Sequence, residues 1–315
     1  MLVSVIMPAY NAGSTIDESV ASVLSQSYQD IELIIIDDGS TDSTLEKIKS
    51  LAESDARIRF VSQANSGKPS IARNKAFSLV KGNFVTFLDS DDLMDVRRIE
   101  TLIQEVNQNP GFDVFFHDVY IINNEGKAEN ETYLSQADFL SRSKPYVDRV
   151  VGDAYMLKAN FLEFMLVNYA AMHTSSVMFR RCMLDQHGLR FSEDLAICED
   201  TEFWFSLANL GRVIYVNKPL SSYRDTPGSI TKDQTLVLND SLIMHSRSEK
   251  RYRAILNRHV QVKYLRKIAN ILSDIGYLKR KNGIRKDAVK SYCRSFKIWP
   301  RFGGAVDIVK AICWR

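Results

Sequence analysis

Over the first 122 positions, apolar residues alternate between short dense runs and sparser stripes spaced at threes and fours. The runs at residues 2–7, 31–36, 58–61, 84–88 and 114–122 predict β-strands, and 31–36 is apolar enough to be buried on both faces. Between them, Ile16, Val20, Val23 and Leu24 predict a helix opening after Gly13-Ser14. Leu45, Ile48 and Leu51 predict a second helix, and residues 69–80 a third, opened by Pro69. Ile99, Leu102, Ile103 and Val106 mark a fourth. Strand–helix alternation at this spacing predicts an α/β fold with a mostly parallel central sheet covered by helices on both faces.

The pattern then changes twice. Over residues 129–178 it loosens into short amphipathic pieces rich in Tyr, Phe and Leu. From Leu236 it turns helical, with Tyr252, Ile255, Leu256, Tyr264, Leu265, Ile268, Ile271, Leu272, Ile275 and Leu278 at threes and fours. A turn is expected at residues 279–283, then a second helix through Val289, Tyr292 and Phe296 up to Pro300. These shifts divide the chain into a body, residues 1–235, and a helical C-terminal extension, residues 236–315. The body itself divides into halves 1–122 and 123–235.

Charge sharpens that division. The net charge is only +3, yet residues 241–315 carry 19 Lys and Arg against 4 Asp and Glu, leaving 22 basic and 34 acidic residues before them. An acidic body and a basic tail face different partners. Arg247, Lys250, Arg251, Arg253, Arg258, Lys263, Arg266 and Lys267 flank the apolar stripe of the tail. Two readings follow: a helix docked on the body with solvated charges, or a peripheral contact with an anionic membrane. A nucleic-acid partner would meet the acidic face and is not expected. At 315 residues, 45% hydrophobic and 25% charged, the composition is globular and excludes a disordered chain. Cys182, Cys198, Cys293 and Cys313 show no CxxC spacing, which excludes a zinc knuckle and favours a reducing compartment. The first strand begins without a basic leader, and no apolar run reaches the length of a membrane span. The expected location is the cytoplasm, with peripheral attachment at the inner face of the cell membrane as a variant.

In open α/β sheets, ligands bind outside the carboxyl ends of the strands. Three polar clusters fall there: Pro8-Ala9-Tyr10-Asn11, Asp37-Asp38-Gly39-Ser40 and Asp89-Ser90-Asp91-Asp92. One would be an ordinary turn; three converging on one edge, two of them carboxylate-rich, point to a divalent cation shared with substrate phosphates. Neither a P-loop nor a Gly-x-Gly-x-x-Gly motif is present, so phosphates would be met by metal and basic side chains.

These clusters, together with Ala72-Arg73-Asn74, Phe191-Ser192-Glu193, Cys198-Glu199-Asp200-Thr201-Glu202-Phe203-Trp204, Tyr223-Arg224 and Ser229-Ile230-Thr231, resemble family 2 glycosyltransferases of the GT-A fold. The resemblance covers roughly the first three-quarters of the chain and leaves the last quarter unmatched. It implies inverting transfer of a sugar from a nucleotide donor, UDP-linked by preference, to a glycan or lipid-linked glycan in surface polysaccharide synthesis. In that reading Pro8, Tyr10 and Asn11 border the donor base, Asp38 accepts the uracil N3–H, and Arg73 meets the diphosphate. Asp89 and Asp91 form the Asp-x-Asp pair, the first toward the ribose, the second on Mn²⁺ or Mg²⁺. Asp92 supports them or faces the acceptor. Asp200 is the base, and Glu199 orients it or contacts the acceptor. The family often carries a His in a Tyr-Arg-x-His segment; here Thr226 stands in that place, so that either Arg224 compensates at the diphosphate or the metal keeps an extra water.

Other residues have structural readings. Asp37 serves the strand end as readily as a ligand, Asp42 caps the second helix, and Glu202, Trp204 and Phe205 lie on a helix with core aromatics. His117 and His173 are read as core or surface histidines, and Met156, Met165 and Met172 as packing. Two alternatives to glycosyl transfer remain at this point: a sugar-nucleotide nucleotidyltransferase, which would carry a Gly-rich basic loop near the start, and a non-catalytic nucleotide-sugar-binding module, which would not need Asp200.

Overall fold

Residues 1–123, 125–226 and 229–313 are described by a computed structural model. The chain opens as β1 (Val3–Ala9), α1 (Ile16–Leu24), β2 (Ile31–Asp37), α2 (Thr44–Ser54), β3 (Ile58–Ser62), α3 (Pro69–Phe77) and β4 (Phe84–Phe87). It continues through β5 (Leu93–Met94), α4 (Arg98–Gln108), β6 (Val114–Ile122), β7 (Ala128–Thr132), α5 (Tyr133–Gln136) and α6 (Phe139–Ser143). Next come β8 (Val147–Val151), β9 (Ala154–Leu157), α7 (Phe161–Val167), β10 (Met178–Arg180), α8 (Cys182–His187), α9 (Glu199–Leu210) and β11 (Val213–Arg224). The extension is α10 (Gln234–Tyr252), α11 (Arg258–Lys281), α12 (Arg285–Ile298) and α13 (Phe302–Cys313).

An eleven-stranded sheet with helices around it forms the body, as the α/β pattern predicts. β3, β2, β1 and β4 pair in parallel, and every residue of β2 is buried, because helices cover both faces of this half. The chain steps outward from β1 to β2 and β3, then returns to β4 on the other side of β1, which sets the switch point between β1 and β4. Pro8 lies beyond the last β1–β4 pair, Ile6 with Phe87, so its missing N–H costs no ladder bond there.

Parallel pairing does not extend across the whole sheet. β10 inserts antiparallel between β4 and β6, β11 runs parallel to β6, and the β8–β9 hairpin extends the far edge. β8, β9, β10 and β11 fall where the apolar pattern gives no strand signal. Because β10 is antiparallel, its incoming end lies beside the outgoing end of β4, with Met178 opposite Thr86. That register carries residues 173–176 to the edge where Asp89–Asp92 sit.

The basic tail resolves in favour of docking over its first half. Tyr252, Leu256, Val260, Tyr264 and Ile268 are buried in the same core as Phe164 of α7 and Phe205 of α9. Lys267 donates through Nζ to the carbonyls of Leu166 and Asn168, and burial pulls its ammonium down to about 8. Ile255 falls in a break between α10 and α11 and is exposed. The turn expected at residues 279–283 comes later: α11 runs through Lys281, and Gly283 takes φ +76°. Lys279, Arg280 and Lys281 thus form the last turn of a helix, where cations suit the macrodipole. α12 then closes on α11 at Gly276, where a Cβ would stand 2.9 Å from the Tyr292 ring.

Candidate active site

Each polar cluster is held by its own neighbours. Asn11, at φ +49°, accepts the Thr41 amide at 2.8 Å and donates its own amide to Ser40 Oγ, tying the β1 loop to the β2 loop. Gly39 sits at φ +75°, and a Cβ there would meet the Asn65 amide at 2.5 Å. Asp37 accepts from Ser62 Oγ and the Ser40 amide, so its carboxylate serves the strand end. Asp42 accepts from the Thr44 amide and the Gly13 amide; it lies one residue before the N-cap, Ser43, which makes no side-chain cap. Asp38 is buried and accepts from Gln63 Nε2 at 2.7 Å and from the amide and Oγ of Ser66. Tyr10 stands 50% exposed.

The chemistry concentrates next to these loops, in a cleft of 440 Å³ lined by Arg73, Asp89, Asp91, Tyr133, His173, Thr174, Glu199, Asp200, Tyr223 and Arg224, among others. Pro8, Tyr10, Asn11 and Asp38 do not line it. Arg73, buried on α3, joins the two sides: one nitrogen donates to Asp89 at 2.8 Å, another to Glu199 at 2.7 Å. Its charge also lies 5.5 Å from the Phe191 ring centroid. Asp200 accepts from Thr174 Oγ1 at 3.2 Å and from the Thr201 amide, which holds both its oxygens in place. Thr174 reaches it only because β10 is antiparallel.

Asp92 does not face the cleft. It is 1% exposed, accepting from Ser175 Oγ and from the Arg224 amide, and burial together with Asp91 and Asp89 pushes its carboxyl well up. It pins the end of β11 to the end of β4. Arg224 is likewise committed: its guanidinium donates to the Asp91 carbonyl at 3.0 Å and to Glu18 at 2.9 Å. It braces the Asp91 turn.

Negative charge exceeds positive charge in this cleft. Asp89, Asp91, Glu199 and Asp200 face Arg73 and Arg224 among the described lining residues. Burial, and then Asp89, push the Asp91 carboxyl up to about 6. Burial, and then Asp200, push Glu199 up to about 7 in spite of Arg73. A divalent cation at Asp89 and Asp91 would relieve this excess. No group of three His, Cys, Asp or Glu with metal-holding geometry occurs among the described residues. The two carboxylates suit an ion that takes one or two of them and completes its shell with phosphate and water.

His173 was read from the sequence as a packing or surface residue, and the fold places it in the cleft. Its Nδ1 accepts the Ser175 amide at 3.2 Å, which assigns the ring proton to Nε2. Burial holds its basicity below the usual range, so the ring stays neutral. Tyr133 and Tyr223 flank it, with ring centroids at 5.5 and 4.9 Å. The histidine stands alone in a loose stretch, and only the β10 register shows its place. His117 is buried, as are Met156, Met165, Met172, Trp204 and Phe205, in keeping with their packing roles. Cys198, at φ +65° before α9, has its thiol pushed up to about 12 by burial and the neighbouring carboxylates.

The sheet, with an acidic cleft at the edge of its switch point, has the architecture of a GT-A fold. The profile of glycosyl transferase family 2 matches residues 4–166, and the chain belongs to that family. It is 30% identical over 236 residues to the glycosyltransferase GlyG of Streptococcus pneumoniae serotype 4, covering 74% of each chain. It is 40% identical over 123 residues to WfgD of Escherichia coli, a UDP-Glc:alpha-D-GlcNAc-diphosphoundecaprenol beta-1,3-glucosyltransferase, covering 39% of this chain and 47% of WfgD. The crystal structure of S. aureus TarS 1–349 in complex with UDP superposes with a TM-score of 0.60 at 20% identity, covering 99% of this chain and 81% of that one. That likeness is one of fold.

Proposed function

We propose that this glycosyltransferase moves a sugar from a UDP-sugar to a glycan or lipid-linked glycan acceptor, with inversion, in surface polysaccharide assembly. The observation that carries the reading is the Asp89–Arg73–Glu199 chain, which sets the Asp-x-Asp turn and Asp200 in one cleft. The lipid-linked acceptor is the substrate class named for WfgD. Residues 1–122 hold the donor, residues 123–235 supply the acceptor side, and residues 236–315 form the extension.

Pro8, Tyr10 and Asn11 border the base in this reading. Asp38, whose carboxylate accepts from Gln63 and from the amide and Oγ of Ser66, exchanges one of these contacts for the uracil N3–H. Asp89 leans toward the ribose and Asp91 holds Mn²⁺ or Mg²⁺. When bound, the cation neutralises charge on the departing diphosphate. Arg73 adds a fixed positive charge beside it. Asp200, held by Thr174 and the Thr201 amide, takes the acceptor hydroxyl proton as the new C–O bond forms and the C1–O bond to UDP breaks, while Glu199 beside it is held by Arg73. Tyr133, His173 and Tyr223 give sugar rings an aromatic wall with one N–H donor.

Among the described residues no helix is long and apolar enough to cross a membrane. With the stripe of residues 252–268 docked, a peripheral contact falls to the outer end of the extension. Lys286, Lys290, Arg294 and Lys297 share an exposed face of α12, and Val309 and Ile312 are exposed on α13. The site of action would then be the cytoplasmic face of the membrane.

A thermal-shift screen of UDP, GDP and dTDP, each with and without Mn²⁺, tests the donor assignment. UDP with Mn²⁺ should give the largest shift, and Asp91→Ala should remove the Mn²⁺-dependent part while leaving the fold intact. A shift from GDP alone, or one insensitive to Asp91, would sink the reading.

A further inference from the structure

Thr231, on the 3₁₀ turn Ile230–Lys232, lines two depressions at once. One is the cleft with Asp89, Asp91 and Asp200; the other is a groove of 380 Å³ between α10 and α11. Val237 and Leu238 of α10 and Tyr277 and Leu278 of α11 supply its apolar lining. Its acidic member, Asp274, is exposed, and so is Tyr277, whose ring stands 53% open to solvent. Directly after Leu278 come Lys279, Arg280 and Lys281. Thr231 therefore stands between the groove and the cleft, and Leu278 between the groove and a cationic helix end.

We propose that this groove holds the hydrocarbon chain of a polyprenyl-diphosphate-linked acceptor, whose sugar end lies in the cleft. The inference rests on the lipid-linked reading above. A largely apolar groove bordering an acidic cleft suits an amphiphile, whose two ends use both, better than a water-soluble glycan. The exit beside Lys279, Arg280 and Lys281 also has the sign that an anionic lipid surface requires.

Farnesyl diphosphate and inorganic diphosphate are the probes, titrated into the full chain with Mn²⁺, with UDP titrated in parallel. Burial of even a few methylenes should make farnesyl diphosphate bind at least about tenfold tighter than diphosphate. Tyr277→Glu and Leu238→Glu should abolish that preference while UDP binds as before. Equal binding of the two probes, or a preference that survives both substitutions, would overturn the proposal. A photoreactive farnesyl diphosphate on the unmodified chain guards against a variant that misfolds: its label should fall within residues 231–238 and 274–278, and label elsewhere refutes the groove. Self-association that Tyr277→Glu abolishes would give the groove to a second copy and also overturn it. Failure of UDP to bind the unmodified chain would instead defeat the donor reading and leave the groove result interpretable.

Discussion

The loops that follow β1 and β2 hold their carboxylates in one way, and the neighbouring acidic cleft holds its own in another. On the β1–β2 side, Asp37, Asp38 and Asp42 accept from hydroxyls, amides and Gln63, all from adjoining loops. On the β4–α9 side, Asp89 and Glu199 share a single buried guanidinium, with Asp91 and Asp200 close by. The first arrangement spends its carboxylates on fixing loop shape. The second leaves charge unbalanced, and there burial and like charge push the Asp91 carboxyl up to about 6 and that of Glu199 up to about 7. Surplus charge that a cation or a proton can relieve belongs where phosphate and hydroxyl chemistry occurs. Loop rigidity on one side gives the other a fixed frame.

The largest expected effect separates the two sides directly. Asp200→Asn should cut turnover by about 10²–10⁴-fold, the usual contribution of a general base, with UDP affinity within about twofold of the original. Product formation and UDP titration measure the two quantities. An equal fall in UDP affinity would place Asp200 in the donor site.

Arg73→Met tests the shared guanidinium. Removing one partner of a buried ion network costs about 3–5 kcal/mol, so the chain should unfold at distinctly lower denaturant. Asp37→Asn, whose partners are uncharged, should cost far less. Comparable losses would erase the contrast between the sides.

The raised Glu199 carboxyl gives a pH signature. A group whose folded pKa lies above its unfolded value contributes stability at low pH and loses it as pH rises through the folded value. For Glu199 that window runs from the ordinary 4.5 up to about 7. The melting temperature of Glu199→Gln, relative to the unmodified chain, should therefore climb across this range and level off above it. A relative melting temperature flat with pH would show that Glu199 is ionised throughout. Buried histidines titrate nearby in both proteins, and the difference cancels them.

The smallest effect is expected at His173. Replacing it with Ala removes one neutral N–H donor, so kcat/KM should fall by about three- to tenfold. A loss comparable to that of Asp200→Asn would make the imidazole part of proton transfer.

Much of the frame was legible in the letters because it depends on local order. Dense apolar runs must be buried strands, their polar ends must face solvent at the carboxyl edge, and so Asp38, Asp89 and Asp91 could be set there without coordinates. β10 could not be found this way, since three residues carry no period. Nor could β11, whose register shifts around Pro219 break the alternation that marks a strand. The stripe of residues 252–268 leaves docking and membrane contact both open for a related reason: one apolar stripe reads the same whether it packs on a protein core or on lipid, and the fold packs this one on the core.

Sequence alone determined the strand–helix alternation of residues 1–122, the acidic edge and the motif residues, because hydrophobic period and turn chemistry act over a few neighbours. Tertiary structure decided which of those residues share charge. The antiparallel insertion of β10 brought Thr174 to Asp200 and His173 into the cleft, α3 carried Arg73 between Asp89 and Glu199, and β11 turned Arg224 onto the Asp91 carbonyl. Those contacts join residues up to 133 positions apart, and only the folded path of the backbone sets such distances.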